Sequence, residues 1–461
     1  MPATTTARSF QVLRDELQTA LLERYPELIG RMGWDRARIV AHQRVRLRAL
    51  LAHAATHSPF HARRLRGIDL QTVDPEDLCA LPVMTKSEMM HELDDVFTDR
   101  RLSGRLVEEA LAATRDEPVP ILGEYVAFGS GGSSGQRGVF VYDRDWTVQQ
   151  VGSITRGLVT RIAATGGPPP GGLPAAVVAA SSAIHQTGAA PALTAGGKLP
   201  FRFRPVPVTL PLPQIVERLN ALQAPVLLGY PTILARLAAE QRAGRLRIAP
   251  MSLTCSSETC TPELRSAITA GFGVPLIDTF ASTEGLVGSS PPGEETIVFA
   301  EDGCVIELVD DHDRPVPPGT PSAKVLVTNL HNRVQPLIRY ELTDRFVAEP
   351  PAAGHGHLRA RVQGRSDEVF RYGGVSIHPL AMRSILVQAP EVLEYQVRQT
   401  PEGIDVTAVA GPGLDVAGLR HRLAAALAGS GLARPQVVVR PAPSVERHPE
   451  TGKLCRFIPL P

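Results

Sequence analysis

Between residues 174 and 280 the chain alternates apolar runs of strand length with amphipathic runs of helix length. The apolar runs are 174–182, 225–230, 251–254 and 275–280. The helical runs between them are 212–223, 232–242 and 261–273. Parallel strands cannot be joined by a tight hairpin, because the chain must return to the same end of the sheet through a crossover, usually a helix. The alternation therefore predicts an α/β fold with a mainly parallel sheet and crossover helices.

The sequence pattern changes twice beyond residue 290. Segments 296–311, 323–330 and 337–349 are rich in β-forming residues separated by Gly and Pro turns, which predicts an antiparallel, barrel-like subdomain. From residue 364 onward, short strand patterns alternate with two helical runs, 380–388 and 416–428. We therefore expect a large domain over residues 1–363 and a small, mobile α+β domain over residues 364–461.

The N-terminal region has helical periodicity over residues 8–62. Arginines are frequent between residues 38 and 61, but interleaved acids make a solvated helix face a better explanation than nucleic-acid binding. The segment 81–89, LPVMTKSEM, places a proline-bearing turn before a further helix, for which Ser87 is a suitable cap.

The composition excludes several classes of protein. Hydrophobic residues make up 43% of the 461 positions and charged residues 21%, and a net charge of +1 gives no global attraction to nucleic acid or anionic membranes. The N-terminus has no apolar run of signal-peptide length, and no run elsewhere is long enough to cross a bilayer. We therefore expect a cytoplasmic protein that binds neither nucleic acid nor membranes.

The cysteines indicate a reducing compartment. They are five in number, scattered, and never in CxxC spacing: Cys79, Cys255, Cys260, Cys304 and Cys455. This pattern argues against a disulfide framework or a zinc ribbon. Cys255 and Cys260 could share a metal ion, but no histidine pair lies beside them at ligand spacing.

A tract of glycine and serine lies between two apolar strand patterns. Its residues are Ser130, Gly131, Gly132, Ser133, Ser134, Gly135, Gln136, Arg137 and Gly138. Glycine lets the backbone approach a ligand closely, and successive N–H groups together with serine hydroxyls can bind one anion. A P-loop is excluded, because no lysine follows the glycines and a strand rather than a helix comes next. The tract predicts an anion-binding loop, with a flexible surface loop as the alternative.

The segment 278–285 leaves a predicted strand and enters a turn that carries Thr283 and Glu284. Ligands bind at the carboxyl ends of strands in an open α/β sheet. The Thr283 hydroxyl can donate to a phosphate oxygen, and Glu284 can hold a hard cation such as Mg²⁺ that neutralises the phosphate. An ordinary loop is the alternative.

Further polar groups of the same kind lie towards the C-terminus. Asp344 ends a predicted strand and can accept hydrogen bonds from two vicinal hydroxyls, while Arg365 and Asp367 lie at the expected domain junction. Lys453 lies on a glycine-bearing turn near the end of the chain. Taken singly, each has an ordinary explanation: a turn aspartate, a surface salt bridge or a solvated lysine.

Together and in this order, the motifs resemble those of the adenylate-forming enzymes, which include acyl-CoA synthetases, luciferases and nonribosomal adenylation domains. Within this group they resemble the phenylacetate-CoA ligase branch, from about residue 80 to the C-terminus. The matching segments are 81–86 (LPVMTK), the glycine tract, 280–284 (FASTE), 336–344 (PLIRYELTD), 364–368 (GRSDE), 373–379 (GGVSIHP) and the final GK followed by an arginine, 452–456.

The resemblance implies that ATP is the nucleotide and assigns residues to it. These are Ser130, Gly131, Gly132, Ser133, Ser134, Gly135, Arg137, Ser257, Glu258, Asp278, Phe280, Ala281, Ser282, Thr283, Asp344 and Arg365. The glycine tract would close over the β- and γ-phosphates, and Phe280 would pack against adenine, with Asp278 and the 256–258 turn near its edge. Asp344 and Arg365 would hold the ribose.

The same resemblance implies the catalytic groups. Thr283 would bind the α-phosphate, Glu284 would bind Mg²⁺, and Lys453 would reach both the substrate carboxylate and the α-phosphate. Asp367 would be the hinge about which the small domain turns, bringing the Gly373–Gly374 hairpin to a thiol channel.

The resemblance implies that the acyl pocket lies near His185, Tyr230 and Ala281. For His185 a buried, hydrogen-bonded histidine is the simpler interpretation, and for Tyr230 a tyrosine that packs in the core.

One departure from the family pattern stands out. Gln136 and Arg137 occupy the positions of its usual Lys-Pro, and the fork of an arginine does not replace an ammonium group in every contact.

The implied function is activation of a carboxylic acid, aromatic by the resemblance, as an acyl-adenylate, followed by transfer to the thiol of CoA. One alternative keeps adenylation but passes the acyl group to a carrier-protein phosphopantetheine thiol or an amine, or transfers the adenylyl group itself. A second alternative, from another class, is a nucleotide-binding regulatory protein without turnover. The sequence also leaves a homodimer open.

Overall fold

The computed structural model describes residues 9–130, 137–351, 354, 356–389, 391–448 and 451–460. The chain divides into two compact units, Met1–Gln363 and Gly364–Pro461. The helices of the first unit are α1 (Phe10–Arg31), α2 (Arg36–His57), α3 (Pro59–Arg64), α4 (Lys86–His91), α5 (Leu93–Val96), α6 (Gly104–Ala113), α7 (Arg144–Ala164), α8 (Gln186–Leu193), α9 (Leu212–Leu222), α10 (Pro231–Arg242) and α11 (Pro262–Phe272).

The strands of this part of the chain are β1 (Val126–Gly129), β2 (Val139–Tyr142), β3 (Leu173–Ala179), β4 (Phe201–Pro207), β5 (Val226–Gly229), β6 (Ser252–Ser256), β7 (Leu276–Ala281), β8 (Val287–Ser289), β9 (Ile297–Phe299), β10 (Cys304–Val309), β11 (Lys324–Asn329), β12 (Tyr340–Leu342), β13 (Asp344–Ala348) and β14 (Arg359–Arg365). The last strand, β14, runs past the boundary between the units by two residues.

The large sheet has the order β13-β14-β9-β8-β7-β6-β5-β3-β4, counted over the described residues. Strands β4, β3, β5, β6 and β7 are parallel, and β8, β9 and β14 continue the sheet antiparallel. Neighbouring residues of β5, Val226 and Leu227, belong to two different core clusters, so both faces of this strand are covered. Burial on both faces explains why the parallel strands read as continuous apolar runs. The predicted α/β class is confirmed.

The β-rich region predicted beyond residue 290 is confirmed, and its strands divide between two sheets. Within the described chain, β10, β11 and β12 form an antiparallel sheet of their own. The others, β9, β13 and β14, join β8 in extending the large sheet beyond its parallel half.

The N-terminal helices are also present, with one correction to their capping. Thr85, not Ser87, caps α4: the Thr85 hydroxyl accepts a hydrogen bond from the Glu88 N–H (3.2 Å), and the Glu88 carboxylate accepts one from the Thr85 N–H (2.8 Å). The reciprocal pair requires an acid three residues after the cap, which Thr85 has and Ser87 lacks. The longest missed element is α7, which packs against α1.

The second unit contains the helices α12 (Pro379–Val387) and α13 (Val416–Gly429) and the strands β15 (Phe370–Tyr372), β16 (Val375–Ile377), β17 (Val392–Thr400), β18 (Gly403–Ala410), β19 (Gln436–Pro441) and β20 (Phe457–Ile458). As far as this unit is described, one sheet has the order β19-β18-β17-β20, and β15 pairs with β16. Leu419, Leu423 and Leu427 repeat every four residues on α13 and are fully buried in the core of the unit. This is the small α+β arrangement expected from the sequence.

None of the described helices combines the length and the apolar character that a membrane span requires.

Candidate active site

The glycine tract joins the two strands of an antiparallel hairpin, β1 and β2, in which Gly129 lies opposite Val139. The neck of the loop is closed by two hydrogen bonds: the Ser130 N–H donates to the Gly138 carbonyl, and the Gly138 N–H donates to the Ser130 hydroxyl, both at 2.8 Å. The predicted phosphate-binding residues Gly131, Gly132, Ser133, Ser134 and Gly135 lie outside the described residues.

A second set of contacts holds the hairpin neck from the side. The Gly129 N–H donates to the Ile184 carbonyl (2.9 Å), and Nδ1 of the buried His185 lies 3.0 Å from the Gly129 carbonyl oxygen. Arg137, at the far side of the loop, pairs with Glu108 of α6. His185, predicted for the acyl pocket, therefore also supports the backbone that leads into the glycine tract.

The turn that carries Thr283 and Glu284 is fixed by its own backbone carbonyls. Each of the three accepts a hydrogen bond from a side chain distant in sequence: Ser282 from Gln150 Nε2 (2.9 Å), Thr283 from the Tyr142 hydroxyl (2.6 Å) and Glu284 from Asn329 Nδ2 (3.0 Å). Gly285 ends the turn with a φ of 112°, and a Cβ there would lie 2.4 Å from Asn329 Nδ2. Only glycine fits this position.

The carboxylate of Glu284 is buried, with 6% of the residue exposed, and its Oε2 lies 3.5 Å from the Thr283 hydroxyl. Burial raises the pKa of Tyr142 and of Tyr340, and the charge of Glu284 raises both further. The Tyr340 hydroxyl has no hydrogen-bond partner among the described residues. Glu284 therefore places a negative charge beside two buried phenols.

Three amide side chains that sequence analysis missed connect this turn to the glycine hairpin. Gln335 bridges β2, accepting from the Val141 N–H (2.7 Å) and donating to the Val139 carbonyl (3.0 Å). Asn332 Nδ2 donates to the Val141 carbonyl (3.1 Å), and Asn329 Oδ1 accepts from the Asn332 N–H (3.0 Å). The available signal was a segment in which five of seven residues are polar, 329–335, directly before the 336–344 motif.

Phe280 and Asp344 approach the site from neighbouring parts of the fold. The Phe280 ring packs edge-on against Phe346 (centroids 5.3 Å apart) and against Phe299 (5.8 Å). Asp344 is two residues before Phe346 on β13, so the two side chains leave the same face of that strand. The sequence pattern predicted that Asp344 ends a strand. This prediction was wrong, because Asp344 is the first residue of β13.

Asp278, Ser257 and Glu258 lie around the carboxyl ends of β6 and β7. Burial raises the pKa of Asp278 to about 6, against the opposing effects of the Arg265 guanidinium and the Cys255 thiol. Ser257 has a left-handed φ of 69°, and Glu258 Oε2 accepts a hydrogen bond from the Thr232 hydroxyl (2.7 Å) at the start of α10.

Tyr230 and Ala281, predicted for the acyl pocket, have different surroundings. Tyr230 is fully buried, and its hydroxyl accepts a hydrogen bond from the Ala180 N–H (3.0 Å). Burial raises the pKa of Tyr230 to about 12. Ala281 ends β7 at an exposed position.

The remaining predicted residues belong to the second unit. Arg365 and Asp367 form a bidentate ion pair, with N–O distances of 2.8 Å and 2.7 Å. Gly373 and Gly374 form the exposed turn between β15 and β16. Lys453 follows a tight turn in which the Gly452 N–H donates to the His448 carbonyl (2.8 Å).

No family model matches the chain, but two known proteins are similar to it in sequence. A phenylacetate-coenzyme A ligase of Thermus thermophilus is 24% identical over 389 residues, which cover 80% of each chain. A second phenylacetate-coenzyme A ligase, of Aromatoleum evansii, is 26% identical over 140 residues, covering 30% of this chain and about a third (32%) of that relative. The chain is similar to phenylacetate-CoA ligases. The resemblance predicted from the motifs is confirmed.

The phenylacetate-CoA ligase-like chain also has the fold of solved CoA ligases. A 2-hydroxyisobutyryl-CoA ligase in its postadenylation state, in complex with 2-HIB-AMP, matches with a TM-score of 0.67 and 18% identity, covering 93% of this chain and 91% of that one. The same ligase in its thioesterification state, in complex with 2-HIB-AMP and CoA, matches with a TM-score of 0.56 and 20% identity, with the same coverage. An ATP-bound MatB from Rhodopseudomonas palustris matches with a TM-score of 0.50 and 16% identity, covering 70% of this chain and 65% of that one.

Within the first unit of this ligase-like chain, hydrogen bonds and ring contacts connect the predicted residues into two groups. One group links the neck of the glycine hairpin to Thr283 and Glu284 through β2 and the 329–335 amides. The other links Phe280 to the strand of Asp344, beside the strand ends that carry Asp278, Ser257 and Glu258. Both groups meet where β7 ends at Ala281 and the following turn begins at Ser282.

Proposed function

We propose that this protein is an AMP-forming acid–thiol ligase, which activates a carboxylic acid with ATP and transfers the acyl group to the thiol of CoA. The observation that carries the proposal is the hydrogen-bonded connection between the glycine hairpin and the Thr283–Glu284 turn. It supports a single phosphate-binding site. The similarity to phenylacetate-CoA ligases favours an aromatic acid as the substrate.

In the first step a carboxylate oxygen of the acid attacks the α-phosphorus of ATP, and the bond to pyrophosphate breaks. Two anions must approach each other, so negative charge builds up on the phosphate oxygens in the transition state. The Thr283 hydroxyl donates to one of these oxygens, and Lys453 supplies a positive charge to the carboxylate and the α-phosphate. Because the Thr283 carbonyl is held by Tyr142, its hydroxyl starts from a fixed backbone.

The Thr283–Glu284 turn suits a magnesium ion. Mg²⁺ prefers hard oxygen ligands and binds through one or two carboxylates together with substrate phosphates. Glu284 offers such a carboxylate, buried and beside the Thr283 hydroxyl. A bound cation would offset the buried negative charge and, when present, neutralise phosphate oxygens during the attack.

In this proposal the nucleoside is bound by the second group of residues, which contains Phe280, Asp278 and Asp344. Phe280 packs against adenine, with Asp278, Ser257 and Glu258 near the edge of the base, and Asp344 and Arg365 bind the ribose hydroxyls. The aromatic cluster of Phe280, Phe299 and Phe346 supports this arrangement, because it holds the Phe280 ring in place.

In the second step the thiolate of CoA attacks the acyl carbon, and AMP leaves. We propose that the second unit turns about Asp367 between the steps, withdrawing Lys453 and presenting the Gly373–Gly374 turn to the thiol. The Arg365–Asp367 ion pair would have to open for Arg365 to reach the ribose. Both side chains of the pair are partly exposed, so water can take over their hydrogen bonds when the pair opens.

The test is a pyrophosphate-exchange screen over a panel of aromatic and aliphatic carboxylic acids, followed by addition of CoA. We expect exchange with at least one aromatic acid, and AMP release with thioester formation when CoA is added. Exchange without thioester formation would indicate a carrier-protein thiol or an amine as acceptor. ATP binding without exchange for any acid would contradict the proposal and favour a nucleotide-binding protein.

A further inference from the structure

A cluster of two thiols and one carboxylate lies at the carboxyl ends of β6 and β7. Cys255 and Asp278 are direct partners in the parallel pairing of these strands, so their side chains leave the same face of the sheet. Cys260 lies in the connection between β6 and α11. The sulfur atoms and a carboxylate oxygen all lie within 4.8 Å of one another. From the sequence only Cys255 and Cys260 could be considered as ligands of one ion. Asp278 is 18 or more residues further along the chain and is brought beside them by the pairing of β6 with β7.

The distances suit a tetrahedral metal ion. Cys255 Sγ lies 3.5 Å from Asp278 Oδ1. In a tetrahedral zinc site, bonds of about 2.3 Å to sulfur and about 2.1 Å to oxygen place those two ligand atoms roughly 3.6 Å apart. The observed separation therefore already matches one edge of the coordination tetrahedron, and the other two separations are at most 4.8 Å.

The charges also balance. Two thiolates and one carboxylate carry three negative charges, and a divalent cation leaves one of them uncompensated. Arg265, on α11, supplies the remaining positive charge: its Nη2 lies 3.4 Å from Asp278 Oδ2, the carboxylate oxygen turned away from Cys255. Arg265 Nη1 is held by the Leu276 carbonyl (3.2 Å). A hydrogen-bonded partner of this kind orients a ligating carboxylate.

We propose that Cys255, Cys260 and Asp278 bind one zinc ion, with a fourth position open to water. Soft thiolates select zinc over magnesium or calcium, so this ion differs from the one expected at Glu284. Cys255 is buried, whereas Cys260 and Asp278 are half-buried, which leaves an entry path for the ion. Binding releases the thiol protons, so the affinity rises with pH.

The first test titrates the full-length, metal-free, reduced protein with Co²⁺, in the absence of nucleotide. We expect one equivalent to bind, with the visible bands of tetrahedral Co²⁺ and a thiolate charge-transfer band, and Zn²⁺ to displace it. Cys260→Ser should weaken binding by about 100-fold or more, since even the loss of a group that only orients a ligand costs about 10–100-fold. Cys79→Ser, which changes an exposed cysteine outside the cluster, is the matched control and should titrate as the unmodified protein does.

The second test measures thermal unfolding with and without Zn²⁺, because an ion that binds only the folded protein raises the unfolding temperature. We expect a rise for the unmodified protein and for Cys79→Ser, and none for Cys260→Ser or Asp278→Asn. Absence of the cobalt bands in the unmodified protein would overturn the proposal. The proposal would also be overturned if Cys260→Ser bound Co²⁺ as tightly as the unmodified protein. Neither result depends on whether the protein adenylates an acid.

Discussion

The Thr283–Glu284 turn of the first unit and the Lys453 turn of the second are each anchored by contacts within their own unit, but the contacts differ in kind. The first is held by Gln150, Tyr142 and Asn329, each more than 40 residues away in sequence. The second contains backbone hydrogen bonds between His448 and Lys453, and Gln396 of its own unit anchors the segment on either side by donating to the Glu446 and Cys455 carbonyls. Long-range buried contacts fix a group in place, whereas a local turn moves with its own segment. The first turn is therefore fixed within the first unit and the second within its own unit, which is the arrangement that the proposed movement of Lys453 requires.

Lys453→Ala is the most severe test of this comparison. If Lys453 acts only in the first step, the variant should lose adenylation by about 10²–10³-fold, the usual cost of one preorganised charged donor. It should still convert a supplied acyl-adenylate and CoA to thioester at close to the normal rate. Pyrophosphate exchange and thioester formation measure the two steps separately.

Lys198→Ala is the matched control, since Lys198 is exposed in the first unit and its Nζ lies 3.4 Å from the Asp15 carbonyl oxygen. Equal losses in both steps for Lys453→Ala would show that the lysine does not leave between them.

Acid should lower the stability of the first unit, because this unit contains histidines that are buried in the uncharged form. Burial lowers the pKa of His61 from 6.5 to about 4, although the Pro336 carbonyl, 3.0 Å from Nε2, opposes this shift. The unfolded chain therefore binds a proton below pH 6.5 that the folded chain binds only near pH 4, so stability falls as the pH decreases through this range. Protonation of His61 in the unfolded chain should lower the free energy of unfolding by about 2 kcal/mol at pH 5.

Urea unfolding followed by tryptophan fluorescence measures this effect in the first unit, because both tryptophans, Trp34 and Trp146, belong to it. His61→Gln cannot titrate and should show a weaker loss of stability between pH 7 and pH 5. An unchanged pH dependence in that variant would assign the acid sensitivity to other groups.

Asn329→Ala tests the long-range half of the comparison. It removes the donor to the buried Glu284 carbonyl and the acceptor for two backbone N–H groups. An unsatisfied buried polar group costs about 1–3 kcal/mol, so we expect a loss of stability in that range together with slower adenylation.

Asn220→Ala is the control, because Asn220 also bridges two backbone groups, Arg245 and Arg247, but it is half-buried and both hydrogen bonds are exposed. A similar loss of stability in both variants, with adenylation intact in Asn329→Ala, would mean that the Glu284 turn does not need this support.

Asp367→Asn should have the smallest effect on stability. It breaks the ion pair with Arg365, whose two side chains are 30% and 21% exposed, and pairs near the surface contribute about 0.2–1 kcal/mol. We expect a changed ratio of the two half-reaction rates, because Arg365 loses its charged contact with Asp367. Glu446→Gln, which breaks the exposed pair with Arg398 in the same unit, should leave that ratio unchanged.

Some of the architecture was predictable from local pattern alone. The parallel strands appear as apolar runs because both sheet faces are buried, and the helices between them have the spacing of crossovers. The order of the motifs indicated the ligase resemblance before any contact was known. These features depend on burial and on short segments, which a sequence displays directly.

Other features were decided only by the tertiary structure. No local pattern indicates that Asn329, Asn332 and Gln335 would bind the Glu284 turn and β2, since the partners of an amide depend on which segments fold together. The same holds for Asp278, which joins Cys255 through strand pairing. Sequence by itself determined which chemical groups are present and what elements carry them. Long-range packing decided which of them meet, because buried polar groups must find partners wherever the fold places them.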